Sequence, residues 1–243
     1  MPADVSTATA RAVFSPVHPG GRVGAVAQRL TDAIRLGIIA AGEQLPSEAD
    51  LAQQFGVAPV TLRDALAVVR ELGLIETRRG RGGGTFVLAP VDAVGGALPL
   101  LSPHEQRDLG DHRRAIAGTA AALAARRAQG SDIVELRGHL ERLRSATTIT
   151  ELHRADARFH VEVAASAQSP RLTRAEMDLR VLVGNLIWVP VPASGVRAIV
   201  EEHAAILQAL EARDESVAQS LAEAHVEAET ERMLAFRLGV GGG

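Results

Sequence analysis

The chain contains 243 residues, has 47% hydrophobic content and carries a formal net charge of −3, which is consistent with two globular domains that each bury a core. It has no cysteine, which excludes disulfides, thiolate nucleophiles and Cys-ligated zinc. It shows neither a signal-peptide pattern nor the roughly 20 consecutive apolar residues that span a bilayer, so we expect a cytoplasmic protein without a membrane partner.

Two segments precede the first motif. Residues 1–21 are rich in proline and glycine and show no sustained helical period, which predicts a poorly ordered tail. From Arg22 onward, apolar residues recur at helical spacing, which predicts a first helix that ends near Gly37. These apolar residues are Val23, Val26, Leu30 and Ile34.

The next segment predicts two short helices separated by a tight turn. Ser47 followed by Asp50 is typical of a capping box and indicates a second helix that runs to Phe55. Pro59 suits the first turn of a third helix, which stops at Gly73. The buried face of the third helix is expected to contain Leu62, Ala65, Leu66, Val69 and Leu72.

A glycine- and arginine-rich hairpin follows the third helix. The pattern predicts short strands at 74–77 and 85–88, joined by the sequence RRGRGGG. Two short helices followed by such a hairpin are the order of elements in a winged helix-turn-helix, which presents one helix to a groove of DNA. We therefore expect the domain 22–88 to bind double-stranded DNA.

The DNA-binding fold assigns roles to individual residues. The start of the second helix of the motif meets base edges, which places Thr61 and Arg63 near bases, and Arg63 can form a bidentate pair with O6 and N7 of guanine. Ser47 lies at a helix N-terminus and suits a phosphate. Residues 1–90 hold 9 Arg against 8 acidic residues, a net charge of +1 that is low for a DNA-binding domain. Phosphate contacts are therefore expected from the local cluster Arg78, Arg79 and Arg81.

Residues 22–88 resemble the DNA-binding domain of the GntR family of bacterial transcription regulators, FadR subfamily. The resemblance rests on LPSE at the second helix, TLR-x-AL in the third helix and RGRGGGTFV in the hairpin. The chain departs from the family pattern at Ala49, where Arg is frequent, and at Ala58 and Pro59, where Ser or Thr followed by Arg is common, so a relative's operator sequence is not expected to transfer. The resemblance implies DNA contacts at Thr61, Arg63, Arg79 and Gly80.

The remainder of the chain is predicted to be helical. Residues 89–101 mix proline and glycine with small apolar residues, which predicts a linker. Ser102, Pro103 and Glu105 then combine an N-cap, a first-turn proline and a capping glutamate. Later turn signals divide residues 102–238 into about six helices. The predicted fold class is thus mainly α, an N-terminal winged helix-turn-helix followed by an all-α antiparallel helical bundle.

Four polar side chains occupy core-facing positions in the helical domain. Asp156 and His160 are one turn apart on one helical face, and His203 and His225 lie in apolar stripes of two later helices. His203 is 11 residues before Asp214 and His225 is 11 after it, so an antiparallel helix pair that turns there brings both to the same height. Buried ionisable groups need partners, and three imidazoles with one carboxylate suit a divalent ion. We therefore predict a metal site for zinc, nickel or another late transition metal at these four residues.

The alternative is that each histidine is simply a hydrogen-bonded core or surface residue. His153 lies one turn before Asp156 and resembles a further ligand, but we expect it at a helix end in solvent. His104, His112 and His139 show no partner pattern and are predicted to be surface residues.

Residues 103–237 resemble the FCD ligand-binding domain of the same subfamily. An Asp-x3-His pair on one helix and one His on each of two later helices match the four predicted metal ligands. The family's early Arg corresponds to Arg113 in DHRRAI, and the resemblance implies that this Arg and the metal together hold a small carboxylate effector. Two positions depart from the family pattern: Ala117, where Glu is usual, and Ser169, where Asn is common.

Together these features predict a DNA-binding transcription regulator, not an enzyme, whose operator binding is controlled by a small organic acid at the metal. A homodimer would place two recognition helices over a pseudo-palindromic site. Two alternatives stay open: a metal-responsive regulator without an organic effector, and a metal-dependent hydrolase in which the ion activates water. The hydrolase alternative lacks an additional Glu or His placed as a general base.

Overall fold

The computed structural model describes residues 8–17, 22–80, 82–88 and 101–237, and the chain divides into two compact units, residues 1–93 and 94–243. The first unit is a winged helix-turn-helix with helices α1 (Ala8–Val13), α2 (Arg22–Arg35), α3 (Glu48–Phe55) and α4 (Pro59–Glu71) and strands β1 (Ile75–Arg78) and β2 (Gly84–Val87). In the second, a short 3-10 helix (Gly184–Ile187) accompanies helices α5 (Pro103–Arg127), α6 (Gly130–Ser145), α7 (Ile149–Ser166), α8 (Pro170–Val183), α9 (Ala193–Glu211) and α10 (Glu215–Arg237). This architecture confirms the predicted fold class.

Local signals in the sequence position the helix-turn-helix. Ser47 is the N-cap of α3, and its side-chain oxygen accepts a hydrogen bond from the backbone N–H of Asp50 at 3.2 Å. Pro59 occupies the first turn of α4, as predicted. Leu72, expected on the buried face of α4, is instead 53% exposed because it caps the C-terminal end of the helix. The other four predicted residues are buried: Leu62, Ala65, Leu66 and Val69.

Strands β1 and β2 form the antiparallel wing. Their register sets Ile75 opposite Val87, and both side chains are buried, so this end of the hairpin belongs to the core of the first unit. Strand β1 begins one residue later than predicted and β2 begins one residue earlier. Among the described residues of the turn, Arg79, Gly80 and Gly82 are exposed and Gly83 is half-buried.

The prediction of a poorly ordered tail is wrong for residues 8–17. Helix α1 covers Ala8–Val13, and the ring of Phe14 packs edge-to-face on Phe55 with 5.8 Å between the ring centroids. The Val17 N–H donates a hydrogen bond to the Phe55 carbonyl oxygen at 3.0 Å. Val13, Phe14 and Val17 are all buried, and burial of these apolar side chains outweighs the local proline and glycine content. The other tail residues, and most of the predicted linker, lie outside the described residues.

Capping boxes mark helix starts in the second unit. Ser102 and Glu105 form the predicted one at α5, and Thr148 and Glu151 form another at α7. In the described ranges, none of the helices is both long and apolar enough to cross a bilayer.

Helices α5 and α10, the first and last of the second unit, approach each other closely. A Cβ atom added at Gly110 would lie 2.5 Å from Cγ2 of Thr230, and one added at Gly118 would lie 2.5 Å from Cγ of Glu223. Both glycines therefore allow a helix contact that a larger side chain would prevent. The approach brings Arg113, which lies between them on α5, beside the helix that carries one of the predicted metal ligands.

Candidate functional site

The predicted base-reading residues lie at the start of helix α4. Arg63 is exposed and Thr61 is half-buried. Val60, directly before Thr61, is 63% exposed. This helix end has the position that a winged helix-turn-helix presents to the major groove.

Arg63 forms an ion pair within the helix-turn-helix. Its Nε atom lies 3.0 Å from Oε2 of Glu48, which connects α4 to α3, and both side chains are largely exposed. An exposed pair of this kind contributes little to stability. The guanidinium of Arg63 can therefore leave Glu48 for a guanine edge at small cost.

Ser47 is exposed at the start of α3, where we predict a phosphate contact. Its hydroxyl already donates a hydrogen bond to Oδ2 of Asp50 at 2.6 Å. The carboxylates of Glu48 and Asp50 both lie in the first turn of the helix, and their negative charge opposes a phosphate there. This arrangement weakens the prediction for Ser47.

The wing presents Arg79 and Gly80 at its exposed turn. Gly80 has a φ angle of +95°, a backbone conformation that favours glycine. Arg78 is held within the wing, with its guanidinium carbon 4.5 Å from the ring centroid of Phe86 and its Nε atom 2.8 Å from Oε1 of Glu76. Arg79 is therefore better placed than Arg78 to contact a phosphate. Arg81 lies outside the described residues.

The four predicted metal ligands converge in the second unit although they come from three helices. Asp156 and His160 lie on α7, His203 on α9 and His225 on α10, and one potential ligand atom from each lies within 4.8 Å of all the others. All four side chains are buried, with 0–5% exposure. The ring centroids of His203 and His225 are 4.5 Å apart, as their equal spacing from Asp214 predicts.

Hydrogen bonds at the edge of the cluster orient two of its imidazoles. Nδ1 of His203 lies 2.8 Å from the Ile199 carbonyl oxygen, and Nδ1 of His225 lies 2.7 Å from Oε2 of Glu202. Because both partners act as acceptors, each Nδ1 carries a hydrogen, and in a neutral ring the lone pair is on Nε2. Support of the outer ring nitrogen in this way is typical of metal-binding histidines.

The inner nitrogen atoms of the three rings differ in their partners. Nε2 of His203 lies 3.0 Å from Oδ1 of Asp156, and the Nε2 atoms of His160 and His225 are buried without a hydrogen-bond partner in the described part of the chain. A lone pair and a carboxylate oxygen at this distance repel each other unless a cation, either a proton or a metal ion, lies between them. The donor set of one carboxylate and three imidazoles therefore fits a divalent ion such as zinc.

Arg180 on helix α8 sets the charge of the cluster. Its Nη1 atom lies 2.8 Å from Oδ2 of Asp156, and its Nε atom lies 2.9 Å from Oε1 of Glu176. Burial by itself raises the pKa of Asp156, but Arg180 and His160 lower it by more than burial raises it. The pKa of Asp156 therefore lies well below its ordinary value, and the carboxylate is charged. Burial and Arg180 hold the pKa of His160 well below its usual range, so that ring is neutral.

Arg113, the predicted effector-binding residue, joins the same centre through Glu229. Its Nη2 atom pairs with Oε2 of Glu229, and both side chains are 3% exposed. Oε1 of Glu229 lies 3.4 Å from Nε2 of His225 and 3.7 Å from Nη1 of Arg180. Burial raises the pKa of Glu229, but Arg180 and Arg113 keep it well below its ordinary value. Burial lowers the pKa of His225, whereas Glu229 and Glu202 raise it, to about 9, so a metal ion must displace a proton from this ring.

A small cavity lies beside His160. It encloses about 10 Å³, which is near the lower limit for one water molecule. Its wall combines His160 and Glu176 with apolar side chains, namely Ala117, Ala120, Phe159, Val163, Ile206 and Ala222. In this conformation the cavity is too small for an organic acid.

Three further charged side chains of this centre, which are also buried, were not predicted from the sequence: Glu176, Arg180 and Glu229. Glu176 and Arg180 are four residues apart on α8, and Glu229 follows His225 by four residues on α10. Each pair thus shares one core-facing side of its helix. A charged residue on an otherwise apolar face is the signal that identifies them.

Two of the remaining histidines differ from their predictions. His153, expected in solvent at a helix end, is buried in the second turn of α7, because the face of that turn is covered by other helices of the bundle. His139, expected on the surface, is also buried, and Nη2 of Arg142 lies 2.8 Å from its Nδ1 atom. His104 and His112 are exposed as predicted.

Known proteins resemble both units of the chain. Residues 22–87 match the model of the bacterial regulatory proteins of the gntR family, and residues 108–228 match that of the FCD domain. The chain is 39% identical over 212 residues to the putative HTH-type transcriptional regulator RmpR of Mycobacterium gastri, covering 84% of this chain and 77% of that protein. It is 28% identical over 214 residues to the Glc operon transcriptional activator of Escherichia coli K12, covering 83% and 84%. The fold is similar to that of E. coli McbR/YncC, with a TM-score of 0.54, 18% identity and coverage of 90% of this chain and 99% of that one.

The two domain matches occur in the order in which the structure places a winged helix-turn-helix and a helical bundle. These families consist of regulators, which removes the hydrolase alternative. The chain therefore belongs to the GntR family of bacterial transcriptional regulators, in the FadR-like subfamily that carries an FCD domain.

Proposed function

We propose that this DNA-binding regulator is controlled by a small carboxylate effector at a divalent metal ion, preferentially zinc, with nickel or another late transition metal as alternatives. The observation that supports this most is the convergence of Asp156, His160, His203 and His225, whose ligand atoms lie within 4.8 Å of one another. The hydrogen bonds to Ile199 and Glu202 support it further, because they hold the Nδ1 atoms of two rings and so direct their Nε2 atoms towards the cluster.

The residues around the metal ligands supply positive charge and orientation. Ile199 and Glu202 hold the rings of His203 and His225, while Arg113 and Arg180 place two guanidinium groups at the edge of the cluster. A divalent ion, when bound, supplies a Lewis acid that accepts a carboxylate oxygen. Arg113 would hold the other oxygen of a carboxylate effector, since a guanidinium pairs with a carboxylate in a planar fork.

The DNA-binding roles extend the same proposal to the first unit. Thr61 and Arg63 would contact bases, and the wing residues Arg79, Gly80 and Arg81 would contact the backbone or the minor groove. A homodimer in the cytoplasm would set two recognition helices on a pseudo-palindromic operator. The similar E. coli protein is a transcriptional activator of the Glc operon, which is consistent with binding to an operator.

The size of the cavity favours a second candidate. Because only about 10 Å³ lies beside His160, a regulator for which the ion itself is the signal also fits. Affinity separates the two, since an ion that is held tightly at all cellular concentrations cannot report a change in concentration.

The test combines metal analysis with gel-shift titration of the full-length protein. We expect about one divalent ion per chain by elemental analysis, and retardation of a fragment from the protein's own promoter region. His160→Ala should lose the ion, whereas His112→Ala, at an exposed histidine on α5, should retain it. Equal metal content in both variants would refute the assigned site, and failure to retard any promoter fragment would refute the proposed operator binding.

A further inference from the structure

The cluster contains a carboxylate in the place that the proposed function gives to the effector. Glu229 pairs through Oε2 with Nη2 of Arg113, and its Oε1 atom lies 3.4 Å from the Nε2 atom of His225. It also lies 3.7 Å from Nη1 of Arg180. One carboxylate thus lies between the effector-binding guanidinium and a predicted metal ligand.

The small size of the cavity also indicates that an effector would need the position of the Glu229 carboxylate. The cavity beside His160 holds at most about one water molecule, and Glu229 is 3% exposed within closely packed helices. An organic acid therefore cannot reach Arg113 while Glu229 keeps its present contacts. Its carboxylate must take the position that the Glu229 carboxylate now occupies.

Charge decides which class of acid can make this exchange. The buried network contains the carboxylates of Asp156, Glu176 and Glu229 and the guanidinium groups of Arg113 and Arg180. Three negative charges face two positive ones, so these five side chains sum to one net negative charge, and a divalent ion bound by neutral imidazoles would change the sum to one net positive charge. Replacing Glu229 by a monocarboxylate keeps that value constant, which avoids the cost of burying an additional unpaired charge.

We propose that Glu229 is an internal ligand, which occupies the effector position in the resting protein and is displaced by the carboxylate of a small monocarboxylic acid. This inference rests on the proposed function for the location of the effector. It makes Glu229 a determinant of sensitivity, because the effector competes with a tethered carboxylate for Arg113 and for the metal-side position. Loss of the Glu229 carboxylate should therefore strengthen binding of free carboxylates.

Acetate is the probe for this competition, and acetamide is its uncharged counterpart. In calorimetric titration of the zinc-loaded full-length protein, Glu229→Gln should bind acetate roughly tenfold more tightly than the wild type or better. Glu227→Gln, on the exposed side of the same helix, should bind acetate as the wild type does. Acetamide should bind none of the three proteins measurably.

Thermal melting gives a second measurement, which remains informative if the substitution destabilises the protein. Glu229→Gln leaves Arg113 buried without its carboxylate, so its melting temperature should fall, and acetate should restore it more than it raises that of the wild type. Glu229→Asp keeps the charge but shortens the side chain, and it should show an intermediate effect. Equal or weaker acetate binding and stabilisation in both variants would overturn the proposal and leave Glu229 as a structural ion-pair partner.

The outcome is separate from that of the metal assignment. Melting and titration with acetate can be repeated on chelator-treated protein, where Arg113 and Arg180 remain available to a carboxylate. If no metal binds but acetate still restores Glu229→Gln, the proposed metal centre fails and the role of Glu229 stands. If metal binds and acetate does not discriminate between wild type and variants, the role of Glu229 fails and the metal centre stands.

Discussion

Arg63 combines an exposed position at the start of α4 with a weak partner, Glu48. Arg63→Ala should weaken the free energy of operator binding by about 1–3 kcal/mol if the side chain reads guanine. It should weaken binding to unrelated DNA much less. Arg137→Ala removes a similarly exposed, ion-paired arginine from the helical domain and serves as the control for net charge. Gel-shift titration on both kinds of DNA measures the effect, and equal losses on both would show that Arg63 contacts only the backbone.

His139 links stability to pH at a distance from the metal ligands. Burial, then Arg142 and Arg158, lower its pKa to about 3, so the folded protein keeps the ring neutral while the unfolded chain takes up a proton near pH 6.5. The unfolded state thus binds more protons between these values, and stability decreases as the pH falls through 6.5. At pH 5 this residue lowers the free energy of unfolding by about 2 kcal/mol relative to neutral pH.

Replacement of His139 should flatten that dependence. Urea unfolding of His139→Gln between about pH 7.5 and pH 5 should show a smaller loss of stability than the wild type, whatever the absolute cost of the substitution. His104→Gln changes an exposed histidine and should behave as the wild type. An unchanged pH dependence in His139→Gln would mean that the ring is already protonated or accessible in the folded protein.

At the scale of elements, the segment 8–17 contributes to the core of the first unit. Phe14→Ala removes the ring that packs on Phe55 and should destabilise this unit by about 3 kcal/mol, the usual cost of truncating a buried phenylalanine. Val134→Ala, at a residue that is 61% exposed on α6, should change the free energy of unfolding very little. Chemical denaturation measures both, and a loss at Phe14 as small as that at Val134 would contradict the packing described for this segment.

The wing depends on the backbone of its turn. A Cβ atom at Gly83 would lie 2.6 Å from the carbonyl oxygen of Arg78, so Gly83→Ala must distort the turn. We expect roughly a tenfold loss of operator affinity, about 1.4 kcal/mol, with unchanged metal content. Gly24→Ala, where an added Cβ meets no atom within 4 Å, is the matched control, and equal DNA binding by the two variants would exclude a contribution of the wing.

For the molecule as a whole, the sequence predicted what depends on local patterns. Ser47 and Ser102 mark helix starts through short-range caps, and the spacing of His203 and His225 around Asp214 indicates their convergence because a helix pair is regular. Glu229 and Arg113 are 116 residues apart in the chain. Their pairing depends on how closely α5 and α10 pack, which no local pattern reveals. The same holds for Phe14, whose partner Phe55 belongs to a different element.

The four side chains of the cluster are enclosed by helices in the described part of the chain, with only 0–5% of each side chain exposed. Entry and exit of an ion then require α7, α9 or α10 to separate transiently, and such opening is slower than diffusion. We expect zinc release to a fluorescent chelator to reach a plateau rate as the chelator concentration rises. A rate that keeps rising with chelator concentration would instead mean that the chelator reaches the bound ion directly.

This enclosure has a consequence for timing. If ligands enter and leave this centre only when helices separate, the rate of that opening limits the response. The response is then delayed, however quickly small molecules are supplied. Short pulses of an acid would pass without a response, whereas a sustained supply would be registered. The regulator would thereby act as a filter for duration as well as for concentration.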